Sequence, residues 1–203
     1  MLKTIKSLVV IFALVGGFPA LSAAEIQVGE PAPDFTLTDA SEQPRSLSEF
    51  QGKYIVLEWF NPECPFVRKH YDSGNMQNLQ EKYTAQNVVW LSINSSAEGK
   101  QGHLLPGDAK KFIEDNNVHS TAVLLDPQGT VGKLYGAQTT PHMFIINPEG
   151  VVIYQGAIDD IPSTDTADVA NAQNYVDTTL GLALASQPVS VSSTKSYGCS
   201  VKY

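Results

Sequence analysis

Hydrophobic and polar positions along the chain predict strands and helices that alternate over most of its length. Residues 54–60 form the strongest apolar run, mostly β-branched and aromatic, which predicts a strand buried on both faces. Other strands are predicted at 35–38, 88–94, 122–125, 139–147 and 151–156. Helices are predicted at 45–50, 65–86 with a break at 73–75, 108–117 capped by Asp108, 130–135 and 166–185. This order predicts an α/β fold whose mixed central sheet is covered by helices on both faces.

Composition limits the classes of protein that fit the chain. Its 203 residues are 42% hydrophobic and 17% charged, which is ordinary for a single globular domain. Thirteen basic residues against 21 acidic ones give a net charge of −8. Such a chain repels phosphate backbones, so the composition argues against nucleic acid as a partner.

The first 24 residues have the pattern of a secretory signal peptide. Lys3 and Lys6 form a positive n-region, residues 8–18 form an apolar h-region, and a run of small residues ends at Ala24. The apolar run is too short to span a bilayer comfortably, so we predict cleavage after Ala24 and no membrane span in the mature chain. The predicted location is therefore the periplasm or the outside of the cell.

The mature chain is predicted to comprise a domain, residues 25–185, followed by a mobile serine-rich tail, residues 186–203. The domain contains Cys64, and the tail contains Cys199. In an oxidising compartment, two cysteines form either one disulfide or two working thiols, and both interpretations remain open on the sequence.

Cys64 carries the strongest chemical signal in the sequence. It follows the strand at 54–60, and Pro65 suits the first position of the next helix. A thiol at a helix N-terminus is activated, because unpaired amides and the helix dipole stabilise its thiolate. The basic residues of the next turn are expected to add to this effect: Arg68, Lys69 and His70. The alternative is a structural disulfide with Cys199, which would contribute about 5 kcal/mol in the chain-entropy model.

Three segments of the chain resemble the thioredoxin-fold redoxins. Residues 59–65 (WFNPECP) resemble the strand-to-helix turn that carries the first, nucleophilic cysteine of the family's Cys-x-x-Cys motif. Thr140-Pro141, followed by an apolar strand and a hairpin turn, resembles the family's cis-proline loop. Residues 28–35 (VGEPAPDF) are similar to the opening of alkyl hydroperoxide reductases and thiol-specific antioxidants. The likeness covers residues 29–185 and implies a thioredoxin-like fold.

The chain departs from the family at two expected cysteine positions. The second cysteine of Cys-x-x-Cys would fall at Val67. The peroxiredoxin pattern Pro-x-x-x-Thr/Ser-x-x-Cys, started at Pro62, places Phe66 at the hydroxyl position and Lys69 at the cysteine. The chain therefore resembles the peroxiredoxin-like proteins that keep only the first cysteine.

The resemblance also implies which residues surround a substrate. Pro141 would shape a groove in which the backbone of Thr140 pairs with an extended substrate. Trp59 and Pro65, which flank the cysteine turn, would contact that substrate. Together with Cys64, these residues form the predicted substrate site.

Glu58 lies in the predicted strand, six residues before Cys64. Burial would raise its pKa, which suits a group that passes a proton to or from a thiol. The resemblance places the buried acid of thioredoxins at the same position. The alternative is that Glu58 faces a polar edge or pairs with a lysine such as Lys53.

These features predict an exported thiol–disulfide oxidoreductase that needs no organic cofactor. Cys64 would attack a disulfide or an oxidised sulfur, and Cys199 would swing in on its tail to resolve the intermediate. The predicted partners are a protein thiol or disulfide and an external dithiol reductant.

Three alternative functions remain open on the sequence. A thiol peroxidase would use Cys64 to reduce a hydroperoxide. A copper-handling protein would bind the metal through Cys64 with His142 or Met143. A binding module would carry an inert disulfide. The other histidines have no metal-ligand spacing and are interpreted as exposed polar residues: His70, His103 and His119.

Overall fold

The computed structural model describes residues 26–203, so the predicted signal peptide lies outside the described residues. Within residues 26–203 the chain forms nine β-strands and five α-helices. The strands are β1 Thr36–Asp39, β2 Pro44–Ser46, β3 Ile55–Trp59, β4 Val89–Asn94, β5 Ala122–Leu125, β6 Thr139–Thr140, β7 His142–Ile146, β8 Val152–Gly156 and β9 Cys199–Ser200. The helices are α1 Pro65–Asp72, α2 Asn75–Thr84, α3 Pro106–Asp115, α4 Thr130–Tyr135 and α5 Tyr175–Leu184. Short 3-10 turns cover Leu47–Phe50 and Thr166–Ala170.

Seven strands form one mixed sheet in the order β2-β1-β5-β4-β3-β7-β8. The central strands β3, β4 and β5 are parallel, whereas β7 runs antiparallel to β3 and to β8. Every residue of β3 is buried, because helices and loops cover the sheet on both faces. One core contains Val56, Phe60 and Cys64, and the core on the other face contains Leu57 and Trp59. The predicted thioredoxin-like α/β fold is confirmed.

The helix that follows β3 is broken where the sequence predicts a break. Helix α1 ends at Asp72, and α2 begins at Asn75. Between them, Gly74 has a φ of 75°, a left-handed conformation that glycine adopts without a steric penalty. None of the helices within residues 26–203 is long and apolar enough to cross a membrane.

Two predicted helix boundaries are wrong. The single helix expected at 166–185 is instead a 3-10 turn and a separate α5, because the Asn174 side chain caps α5 by accepting the Asp177 amide at 2.9 Å. Helix α3 begins two residues before the expected cap. Asp108 instead lies inside its first turn and accepts the backbone amide of Leu105 at 3.1 Å.

The tail is packed against the domain, so the prediction of a mobile segment is wrong. The carbonyl of Ser192 accepts the Gln155 amide at 3.1 Å, and further along the carbonyl of Lys202 accepts the Ala97 amide at 2.7 Å. Between these contacts, β9 pairs with β6 in a second, two-stranded sheet. Backbone hydrogen bonds along the tail therefore hold it against the domain, although its composition is polar.

Tyr203 anchors the end of the described chain. Its hydroxyl donates to the carbonyl of Ala137 at 2.7 Å. Its ring occupies the space that a Cβ would take on either Gly129 or Gly132, where the nearest ring carbons would be 2.3 and 2.6 Å away. Glycine at both positions is therefore what admits the ring.

Candidate thiol site

Cys64 lies at the N-terminus of α1, immediately after the turn that ends β3. It occupies the capping position, and Pro65 is the first helical residue, as predicted. Asn61 shapes this turn, because its side-chain oxygen accepts the Glu63 amide at 2.8 Å and its carbonyl accepts the Cys64 amide at 3.0 Å. The Cys64 side chain has 0% of its surface exposed, so the sulfur is enclosed.

Cys199 lies directly against Cys64. The two thiols are free, and their sulfur atoms are 2.7 Å apart although the residues are separated by 135 positions. The Cys64 sulfur is also 3.1 Å from the carbonyl oxygen of Thr140. A disulfide bond measures about 2.05 Å, so the sulfurs need to approach by less than about 1 Å to join.

The two thiols differ in acidity. Burial raises the pKa of Cys64, but hydrogen bonds from the Cys199 thiol, the Thr140 side chain and the backbone amides of Val67 and Cys199 outweigh burial and hold the pKa below its usual value of 9.0. Burial and the neighbouring Cys64 sulfur raise the pKa of Cys199 to about 11. Cys64 is therefore the first to ionise, while Cys199 keeps its proton and donates a hydrogen bond to the Cys64 thiolate.

Replacing Cys199 with alanine is expected to raise the pKa of Cys64 by about 1–2 units, because a hydrogen bond to a charged group is worth about 1.5–3 kcal/mol. Cys199→Ser retains a hydroxyl donor and is the matched control, with a smaller rise. Thiolate absorbance at 240 nm, followed as the pH is raised, gives the pKa of Cys64 in each variant. These values are compared with the first titration step of the wild type. Equal pKa values for Cys64 in all three proteins would contradict the hydrogen-bond explanation.

The basic residues of α1 do not face the Cys64 sulfur, which corrects the prediction. Arg68 lies on the surface and pairs with Asp72 at 3.2 Å. Lys69 and His70 are buried and lie against Asp159, so His70 is not the exposed residue that was expected. The acidity of Cys64 therefore comes from hydrogen bonding and its helix-terminal position.

A buried polar cluster between α1 and the tail was not predicted. Lys69 Nζ is 3.0 Å from Asp159 Oδ2 and donates to the carbonyl of Ile161 at 2.7 Å. The Tyr197 hydroxyl donates to the second oxygen of Asp159 and lies 3.2 Å from His70 Nε2. Burial lowers the pKa of His70 to about 4, so this histidine is neutral at pH 7. The only indication of this cluster in the sequence was Tyr197, which precedes the glycine and cysteine of the tail.

Glu58 is fully buried and is held by neutral donors. Its carboxylate accepts hydrogen bonds from Tyr71 at 2.9 Å, Gln80 at 3.2 Å, Trp90 at 2.8 Å and Ser92 at 2.8 Å. Burial raises the pKa of Glu58 above its usual value of 4.5, although these bonds lower it. Among the described residues, Glu58 has no ion-pair partner, and it makes no hydrogen bond to Cys64. Its link to the sulfur is therefore indirect.

The predicted substrate residues are divided between the thiol site and the core. The Thr140–Pro141 peptide bond is cis, as the resemblance implies, and Pro65 is exposed next to the thiol. Trp59 is fully buried on the opposite face of β3 from Glu58, and its indole nitrogen donates to Ser95 at 3.1 Å. The Trp59 side chain therefore offers no surface to a substrate and instead supports the strand from the core.

His142 is paired with Trp59 across β3 and β7 and is likewise buried. Its Nδ1 accepts the backbone amide of Gln138 at 3.2 Å. Burial lowers the pKa of His142 to about 4. No three histidine, cysteine, aspartate or glutamate side chains in residues 26–203 are grouped so that they could hold a metal ion. Cys64 and His142, the proposed copper ligands, are thus not part of such a group.

Fold and site together define the class of this protein. A cysteine that begins the helix after a central strand, beside a cis-proline loop, characterises a thioredoxin-fold thiol protein. The AhpC/TSA family model matches residues 28–155. The chain therefore belongs to the AhpC/TSA family.

The chain is also similar to individual proteins. Thiol-disulfide oxidoreductase ResA of Bacillus thuringiensis subsp. konkukian is 24% identical over 131 residues, which cover 64% of this chain and 70% of the relative. An uncharacterized conserved protein from Geobacillus kaustophilus superposes with a TM-score of 0.74 at 25% identity, covering 92% of this chain and 97% of that one. The thioredoxin domain of a thiol-disulfide oxidoreductase from Bacteroides vulgatus has a TM-score of 0.52 at 19% identity, covers 72% of this chain and 97% of that one, and shows the same fold.

Proposed function

We propose that this protein is an exported thiol–disulfide oxidoreductase of the redoxin type. The observation that carries the proposal is the pair of free thiols, 2.7 Å apart, of which Cys64 has a lowered and Cys199 a raised pKa. Relatives named thiol-disulfide oxidoreductase ResA support the same activity. Export to the periplasm or beyond the cell rests on the pattern of residues 1–24.

Cys64 is the proposed nucleophile. Its thiolate attacks one sulfur of a partner's disulfide, a mixed disulfide forms, and the partner's other cysteine leaves as a thiolate that takes up a proton. Cys199 then loses its proton and attacks the Cys64 sulfur, which forms a Cys64–Cys199 disulfide and releases the partner's first cysteine in reduced form. An external dithiol reduces this bond and is itself oxidised. Relative reduction potentials decide in which direction the sequence of steps runs.

The surrounding residues have supporting roles in this proposal. Thr140 and Pro141 form the wall of the groove beside the sulfur, and Pro65 forms its exposed rim. Glu58 is the proposed proton relay, and it acts at a distance from the sulfur, since its direct hydrogen-bond partners include Tyr71 and Trp90. The chemistry requires no organic cofactor, because the dithiol partner supplies the electrons.

Glutathione disulfide and the full mature chain provide the test. The wild type is expected to form a Cys64–Cys199 disulfide whose reduction potential is about −200 mV or higher. Cys199→Ser is expected to stop at a mixed disulfide between Cys64 and glutathione. Cys64→Ser is expected to react more slowly, because burial still raises the pKa of Cys199 when the Cys64 sulfur is absent. Alkylation followed by peptide mass mapping identifies each product.

Two results would contradict the proposal. A Cys64–Cys199 bond that resists reduction below about −300 mV would be a structural staple, and the protein would then be a binding module. Failure of Cys199→Ser to form the mixed disulfide would exclude Cys64 as the nucleophile.

A thiol peroxidase is the second candidate, because the matched family includes thiol-specific antioxidants in its name. In this mechanism, hydroperoxide would oxidise the Cys64 thiolate to a sulfenic acid, and Cys199 would condense with it to form the disulfide and water. Phe66 stands where the peroxiredoxin pattern has a hydroxyl, which disfavours this candidate. It would require hydroperoxide to oxidise Cys64 faster than it oxidises free glutathione.

A further inference from the structure

The tail closes the thiol site to large substrates. Cys64 has no exposed surface, and the segment that covers it includes Cys199, which is only partly buried. A sulfur enclosed in this way cannot approach a disulfide on another protein. Any exchange with a protein partner therefore requires the segment around Cys199 to leave its position.

The tail pairs with the domain as an added strand. Thr140 is opposite Cys199 and Thr139 is opposite Ser200, in antiparallel register. The next residue, Val201, continues the pairing, because its amide donates to the carbonyl of Gln138 at 3.1 Å. An extended peptide that adds to a free strand edge uses the same main-chain hydrogen bonds. The tail thus fills the edge where an extended substrate would bind.

Gly198 fits a position that excludes any side chain. Its φ is 133°, and a Cβ added there would lie 2.1 Å from the carbonyl oxygen of Thr140 and 2.8 Å from its carbonyl carbon. These are backbone atoms next to the cis-proline, so they cannot move aside as a flexible side chain would. The residue that precedes the cysteine in this groove must therefore be glycine.

Tyr197 fills a socket beside the groove. Its hydroxyl donates to Asp159, which is itself 2% exposed, and its ring packs edge-on against Phe66 with centroids 5.9 Å apart. The Lys69 ammonium lies over the Tyr197 ring, 5.7 Å from its centroid. This socket offers an acceptor, an aromatic contact and a cation, which together suit a phenol.

We infer that the Tyr197-Gly198-Cys199 segment is an internal occupant of the substrate site, and that the partner which displaces it presents an extended Tyr-Gly-Cys segment whose cysteine is in a disulfide. This inference rests on the proposed function. The partner's tyrosine takes the socket of Tyr197, its glycine lies on the carbonyl of Thr140, and its cysteine sulfur meets the Cys64 thiolate. A new S–S bond forms there, and the partner's second sulfur leaves with the electron pair of the broken bond.

Peptide disulfides test the inference in the full chain carrying Cys199→Ser, where Cys64 is the only cysteine. The pentapeptides Ser-Tyr-Gly-Cys-Ser and Ser-Tyr-Ala-Cys-Ser each carry a thionitrobenzoate group in disulfide linkage. Attack of Cys64 on the peptide sulfur forms a protein–peptide disulfide and releases coloured thionitrobenzoate as its thiolate. The rate of each peptide with Cys64 is divided by the rate of the same peptide with glutathione, which corrects for intrinsic reactivity. We expect this corrected rate to be about tenfold higher or more for the glycine peptide than for the alanine peptide.

Three further variants of this Cys199→Ser chain test displacement of the tail. Gly198→Ala is expected to weaken tail docking and to accelerate the reaction with the glycine peptide about tenfold. Gly181→Ala in α5 is the matched control, because nothing lies within 4 Å of its added Cβ, and it is expected to cause no acceleration. Tyr197→Phe keeps the ring and removes only the hydroxyl, and a smaller acceleration is expected. Thermal melting establishes that each variant is folded.

Equal corrected rates for the two peptides would overturn the inference. It would also be overturned if neither Gly198→Ala nor Tyr197→Phe accelerated the reaction. Dithiobis-nitrobenzoate distinguishes this failure from failure of the proposed function. If the reagent modifies Cys64 of the Gly198→Ala chain faster than glutathione while the peptides react equally, only the inference fails. If Cys64 is no more reactive than glutathione in that chain, the proposed function itself fails.

Discussion

Replacing Lys69 with methionine will lower the free energy of unfolding by about 3–5 kcal/mol, because it removes one partner of a buried ion pair. The side chains of Lys69 and Asp159 are 0% and 2% exposed, and their charged atoms are 3.0 Å apart. Methionine matches the length of the lysine stem but leaves the Asp159 carboxylate without a cation in the interior. Chemical denaturation of the reduced protein measures the loss.

The matched control is Lys111→Met. Lys111 and Asp115 are also an ion pair, at 2.7 Å, but their side chains are 73% and 55% exposed. Solvent screens such a pair, so no measurable loss of stability is expected. A loss below about 1 kcal/mol for Lys69→Met would mean that the Lys69–Asp159 pair is solvated like a surface pair.

Replacing Glu58 with leucine will destabilise the protein by about 3–9 kcal/mol, since each of three buried donors left without an acceptor costs about 1–3 kcal/mol. The side chains of Tyr71, Trp90 and Ser92 all donate to the Glu58 carboxylate and would lose that acceptor. Glu58→Gln is the matched control, because its amide oxygen can still accept from these donors. A smaller loss is therefore expected for glutamine than for leucine, and equal losses would contradict the hydrogen-bond argument.

The same glutamine variant reveals the charge on Glu58. Because burial raises the folded-state pKa of Glu58 above 4.5, the folded protein holds this proton more tightly than the unfolded chain. The stabilising contribution is complete below pH 4.5 and is lost as the pH rises through the raised folded pKa. The stability of the wild type relative to Glu58→Gln is thus expected to fall as the pH rises from 4.5, as measured by denaturation at several pH values. A difference independent of pH would show that the folded pKa is not raised.

The turn that carries Cys64 could be predicted because its signals are local. An apolar strand, a turn and a proline at the first helical position lie within about a dozen consecutive residues. The break between α1 and α2 was equally readable, from the glycine at position 74. These features depend on backbone preferences that operate over a few residues, so the local sequence pattern was enough to predict them.

The docked tail and the cluster around Lys69 could not be predicted in this way. Serine-rich composition is typical of disorder, whereas the contacts that order the tail reach far along the chain. Tyr197 and Asp159 are 38 positions apart, and Thr140 and Cys199 are 59 apart. The structure buries Lys69 in α1, and nothing local in the sequence identifies its partner. Pairings over such separations depend on the completed fold.

The separation of the two cysteines also gives them an order of appearance during synthesis. A growing chain folds from its N-terminal end, so Cys64 and the core around it are made long before Cys199. Until the intervening segment has been made, Cys64 has no intramolecular thiol with which to pair. Under the proposed export, a chain interrupted before Cys199 would carry one uncovered, reactive sulfur into an oxidising compartment and would be prone to crosslink to neighbouring proteins.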